Sequence, residues 1–123
     1  MTRYERAAEY HHKGFNCCQA VLASFHDVTG LSEQTSFDMG GGFGAGAQTG
    51  ELCGAIAGAV MTLGMLTPVD AEDPVGSKRR TGALAKKFQR RFKEKFGDQM
   101  IVGAGTVMEA TTARLAIMSG AQF

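Results

Sequence analysis

Residues 51–64 read ELCGAIAGAVMTLG, and from Cys53 to Ala59 only Ile56 is bulkier than cysteine. Gly54 and Gly58, like Ala55 and Ala59, are spaced four apart, so a helix here carries faces of very small residues. Glycine inside a helix costs roughly 0.5–1 kcal/mol relative to alanine, and two of them need a compensating contact. Close approach of a partner helix supplies one such contact, and a ligand lying against the glycines supplies another. The longest apolar run, Ala55 to Leu66, is interrupted by Thr62. It is too short and too weakly apolar for a bilayer, where about 20 apolar residues are needed. The stretch therefore predicts a closely packed helix in a protein core.

The rest of the chain supports helices and offers no strand pattern of any length. Arg3 to Lys13 is polar, with Tyr4, Ala7, Ala8 and His11 towards one side and Gly14 as a C-cap. Asn16 is a good N-cap for a second helix to about Val28, whose apolar positions are Cys17, Val21, Phe25 and Val28. Ser32 caps a short helix through Met39, and GGGFGAGAQTG follows as a flexible loop. A fourth helix covers Leu52 to about Met65, and TPVDAEDP ends it. From about Val75, Leu84, Phe88, Phe92 and Phe96 form one apolar stripe at steps of four, with Gly97 as the stop. A last helix is expected over Thr106 to Met118. The expectation is an all-α bundle of four to five helices in a single domain over residues 1–123, with a glycine-rich loop before the Cys53 helix.

Net charge is +1, yet nine of the 13 Lys and Arg residues fall between Lys78 and Lys95, opposed there only by Glu94. The phenylalanines of that helix keep to one stripe, with no aromatic interleaved on the charged face. That is the pattern of a solvated helix face, not of nucleic-acid contact. There is no Ser-His-Asp arrangement, paired-carboxylate signature or P-loop. GFGAGA, Gly42 to Ala47, fits G-x-G-x-x-A in letters, but EQTSFDM before it is no buried strand, and a dinucleotide fingerprint needs strand, turn and helix together. A small anion at the following helix start is compatible with the loop. MTRYERAAEYHHKG contains no apolar signal-peptide region, so a cytoplasmic location is expected.

Three cysteines in a domain of this size argue for free or transiently oxidised thiols over a structural disulfide framework. Cys17 and Cys18 occupy the first two helical positions after Asn16, where unpaired N–H groups and the helix dipole favour a thiolate. Cys53 falls in the first turns of its own helix. Cys17 lies on the stripe with Val21 and Phe25, while Cys18 is turned about 100° away. Free cysteine is also a common small core residue, and the three positions alone are equally compatible with that.

GFNCCQAVLASF followed by GGGFGAGAQTGELCGAIAGAVMTLG resembles the redox-active proteins with the C_GCAxxG_C_C signature. Their CGAxxG motif corresponds here to Cys53-Gly54-Ala55-Ile56-Ala57-Gly58, and their first cysteine, after Gly-x-Asn and before Gln-Ala-Val, to Cys17. Cys18 stands where the family usually has a small residue. The glycine loop and FQRRFKEKFG extend the likeness over about residues 4–97. The family carries two further cysteines beyond that FG, whereas the divergent tail, residues 98–123, has none. The resemblance implies a small helical protein with thiol redox or metal-linked electron transfer.

The expected site is a thiol pair, Cys17 with Cys53, meeting across packed helices, with Cys17 as the thiolate and Cys18 as an accessory. Gly42, Gly44, Gly46, Gly54 and Gly58 are the expected cofactor contacts. A metal ion, if the site takes one, would be held by Cys17, Cys53 and His12. Small-molecule or redox-protein partners and a homodimer are expected, with no role for nucleic acid or membrane. The competing reading is a non-catalytic helical module that self-associates or binds a small ligand through small-residue faces.

Overall fold

The computed structural model describes residues 1–50 and 52–96, with the side chains of Lys95 and Phe96 excepted. The expected stop at Gly97, the helix over Thr106 to Met118 and the tail 98–123 lie outside the described residues. Within them the protein is all-α, with six helices and no strand. In chain order these are α1 (Arg3–His12), α2 (Cys17–Ser24), α3 (His26–Thr29), α4 (Glu33–Gly40), α5 (Gly54–Leu66) and α6 (Pro74–Phe96).

The cap expected at Ser32 forms, and Thr2 adds one that was not expected. The Thr2 side chain accepts from the Glu5 amide, and Ser32 accepts from the Thr35 amide. Each satisfies a donor that a helix start leaves unpaired. Gly14 follows the C-cap residue Lys13 at φ +107°, a conformation that glycine adopts without cost. Asp73 accepts from the Gly76 amide just ahead of Pro74, so α6 opens with proline at its first position.

α2 lies at the centre, packed against α1, α4 and α5. Seven of its eight residues are buried, every one except Gln19. A half-apolar stripe was the expectation. The helix is instead enclosed on nearly all sides, because its neighbours cover both Cys17 and Cys18. It also ends at Ser24 and does not run to Val28. Ser24 Oγ donates to the Val21 carbonyl at 2.6 Å, and Phe25 leaves helical geometry at φ −105°, ψ 14°. Such local side-chain bonds compete with helix continuation. The chain restarts as the single turn α3, closed by Gly30 at φ +78°. Val28 is consequently 43% exposed and is not part of the core stripe.

On α1 the inward aromatic is Tyr10, not Tyr4. Tyr10 meets Phe15 and Phe37 edge-on at 6.1 and 5.4 Å between ring centroids, and those two rings stack at 3.9 Å. Tyr4 is exposed. On α6, Phe88 and Phe92 are buried as the step-of-four stripe requires, Leu84 is half-buried, and the Lys and Arg side chains from Lys78 to Lys93 are exposed. The start of α6 is tied to the preceding connection through the Asp70 amide on Ser77 Oγ, 2.9 Å, and to the end of α5 through the Thr67–Thr81 hydroxyl pair, 3.0 Å.

The glycine stretch, expected as a flexible loop, is a folded connection. Gly41–Phe43 forms a tight helical turn. Ala45, Gly46, Ala47 and Gln48 then run through left-handed backbone at φ +51°, +64°, +59° and +69°. Three of these carry a Cβ, at a cost of roughly 1–2 kcal/mol each. Gln48 Nε2 donates to the Gly44 carbonyl at 2.9 Å across that turn.

Candidate thiol site

The start of α2 is fixed by a reciprocal capping box. Asn16 Oδ1 accepts from the Gln19 amide and Gln19 Oε1 from the Asn16 amide, both at 2.9 Å. The same two side chains reach outward. Asn16 Nδ2 donates to the Gly40 carbonyl at 3.1 Å, and Gln19 Nε2 to that of Phe37 at 2.9 Å. The end of α4 is thereby bonded to the first turn of α2. Asn16 was expected as a cap; Gln19 as the second half of the box was not, although Asn-x-x-Gln is a recognisable signal for it.

α5 arrives on the same turn from another side. A Cβ added at Gly54 would lie 2.9 Å from the Phe43 carbonyl oxygen, 3.2 Å from the Cys18 nitrogen and 3.5 Å from Cys17 Cβ. One turn on, a Cβ at Gly58 would lie 2.9 Å from the Cys18 carbonyl oxygen and 3.1 Å from Val21 Cβ. Contacts under 3.0 Å to backbone atoms leave no room for alanine. The two glycines thus let α5 ride directly on the backbone of Cys18, and close helix approach is what compensates their helical cost.

Cys53 is the N-cap of α5, one position earlier than the expected placement inside the helix, and its side chain makes no capping hydrogen bond. All three cysteines are thiols; Cys17 is 3% and Cys18 0% exposed, and Cys53 is partly exposed. Burial, with a smaller contribution from the charge of nearby Cys53, pushes the Cys18 thiol up to about 12. At pH 7 that leaves about one molecule in 10^5 with a Cys18 thiolate. The backbone of Cys18 thus lies against α5, and its thiol is near enough to Cys53 for that group's charge to act on it.

The other expected contacts are placed differently. Gly54 and Gly58 are covered by α2, so they serve helix packing and present no open surface to a cofactor. Gly42 is exposed with nothing near it, whereas Gly44 is buried with its Cα against the Asn16 side chain, and Gly46 is buried in the left-handed turn. The metal set of Cys17, Cys53 and His12 is not assembled. His12 is exposed in the last turn of α1, and no group of three His, Cys, Asp or Glu suited to a metal ion exists among the described residues.

An all-α fold that seats a CGAxxG helix start on a second cysteine-bearing helix start defines a class of small cysteine proteins. Residues 15–107 match the family model described as "Putative redox-active protein (C_GCAxxG_C_C)", and the chain belongs to that family. The match begins at Phe15, so α1 precedes it. No curated protein and no solved structure matches the chain. No helix among the described residues is long and apolar enough to cross a membrane.

Proposed function

We propose that the protein is a dithiol redox carrier in which Cys53 exchanges with a partner disulfide and Cys17 resolves the product. The observation that supports this reading best is the seat of Gly54 on the first turn of α2, beside Cys17 Cβ. Cys53 is the thiol with solvent access, so it is the one that can meet a partner. This reverses the roles expected for Cys17 and Cys53, on the ground that a cysteine as buried as Cys17 cannot receive a bulky disulfide.

The Cys53 thiolate attacks one sulfur of the partner disulfide, forming a mixed disulfide and expelling one partner thiolate. Cys17 then loses its proton, attacks Cys53 Sγ and expels the second partner thiolate. Two thiols of this chain are oxidised, one disulfide is reduced, and the two protons pass to the released thiolates. Cys18, held neutral by burial, stays reduced throughout. Such a cycle belongs in a reducing compartment such as the cytoplasm.

The test is titration in glutathione redox buffers, with alkylation and mass mapping of the cysteines. Wild type and Cys18→Ser should form an intramolecular Cys17–Cys53 disulfide, and Cys17→Ser should stop at the mixed disulfide on Cys53. A Cys18–Cys53 link would overturn the assignment of Cys17. Three thiols that stay inert across the whole redox range would leave a non-catalytic helical module as the function.

A further inference from the structure

At the end of α5 remote from the cysteines, a cleft of about 490 Å3 opens between α5 and α6. That lies within the usual range for small-molecule sites, roughly 300–1,000 Å3. Its walls are Phe25, Ala59, Leu63, Leu66, Leu84 and Phe88. Two threonines also line it, but Thr62 and Thr67 donate to the carbonyls of Gly58 and Leu63 within their own helix, at 2.9 and 2.8 Å. Their hydroxyls are thus engaged by the backbone. Among the described residues, the charged groups of the lining are Lys87 and Arg91, both on α6 and both exposed, and no carboxylate lines it. Being four residues apart, they lie on one face of the helix. Lys87 makes no ion pair among the described residues.

An apolar trough bordered by two cations on one side complements a ligand with an apolar body and a single anionic end. We infer that this cleft binds a single-chain acyl carboxylate, its hydrocarbon chain between α5 and α6 and its carboxylate at Lys87 and Arg91. The positive charge of Lys87 and Arg91 at the border favours an anionic end over a neutral lipid, and a polar anion would leave the apolar walls wet. The inference does not rest on the thiol reading, because the cleft shares no cysteine with it.

The test uses full-length protein with its thiols reduced, titrated calorimetrically with octanoate, decanoate and dodecanoate below micelle-forming concentrations, and with decanol. Affinity should rise about fourfold per added methylene until the cleft is full. Decanoate should bind about tenfold more tightly than decanol. The double variant Lys87→Gln/Arg91→Gln, both at exposed positions, should abolish that preference and leave decanol binding unchanged. In wild type, decanoate should shift the Phe88 and Leu84 resonances. Equal affinity for decanol and decanoate, shifts confined to other residues, or no binding at all would each overturn the inference. So would a dimer that Leu66→Asp dissociates and decanoate does not, which would make the cleft an interface between copies.

Discussion

At the scale of single residues, the fold turns on places where a side chain must be missing and on one where a charge must be missing. Gly54→Ala and Gly58→Ala each push a methyl group to within 3 Å of a backbone oxygen, so α5 must lift from α2. Each should destabilise the protein by about 1–3 kcal/mol in denaturant melts. Gly54→Ala should also slow closure of the proposed disulfide more than Gly58→Ala does, since Gly54 adjoins Cys53 and lies beside Cys17 Cβ while Gly58 lies one turn further on. Cys18 contributes through its neutrality. Its thiol is raised in the folded state from an ordinary 9.0 to about 12, so the folded chain holds the proton where the unfolded chain has lost it. That stability is complete below pH 9 and falls as pH rises towards 12, by up to about 1.4 kcal/mol per pH unit. Comparing alkaline melts of wild type and Cys18→Ala checks this; the variant should lose that part of the slope.

At the scale of elements, the first turn of α2 is the joint on which α4 and α5 meet. Asn16 and Gln19 each cap the helix and also hold the end of α4. Asn16→Ala and Gln19→Ala should each cost about 1–2 kcal/mol, from the lost cap and the carbonyls left unsatisfied. Because the two side chains bond one another's backbone, their costs should not add. A double-mutant cycle by chemical denaturation should give a coupling of at least about 0.5 kcal/mol. On α6, Phe88→Ala or Phe92→Ala should cost about 3–5 kcal/mol and half-buried Leu84→Ala distinctly less, which melts of the three variants will rank.

At the scale of the whole molecule, the two ends of the α1–α3 segment are joined by electrostatics. Arg3 binds Asp27 with both guanidinium nitrogens, at 2.6 and 2.8 Å, donates also to the Ser24 carbonyl, and lies 4.8 Å from the centre of the Phe25 ring. The hydrogen bond from Arg3 is the main cause that lowers the Asp27 carboxyl from 3.8 to about 2. The depressed value means that stability from this pair is present above pH 4 and is lost as pH falls towards 2. Asp27 is half exposed, so solvent screening keeps the effect small. Acid titration of wild type against Asp27→Asn, followed by circular dichroism at low salt, should show a shallower decline for the variant between pH 4 and 2.

Much of the secondary structure was legible before any coordinates. The caps at Asn16 and Ser32, the stripe of Phe88 and Phe92, and the need of Gly54 and Gly58 for a close neighbour all follow from short-range rules. Those rules act within a few residues, so neighbouring letters suffice to state them. Which neighbour the glycines touch was not legible, nor that α5 rests on the backbone of Cys18, nor that Cys53 keeps solvent access while Cys17 loses it. The same holds for His12, whose distance along the chain from Cys17 says nothing about convergence with Cys53. The break at Ser24 rests on a local bond from Ser24 Oγ to the Val21 carbonyl, but the apolar letters on either side of it do not mark the stop. Local chemistry thus determined the helices and the demand for intimate packing. Tertiary structure alone decided the partners, since burial and proximity across the 34 residues of intervening chain between Cys18 and Cys53 arise only once the helices are docked.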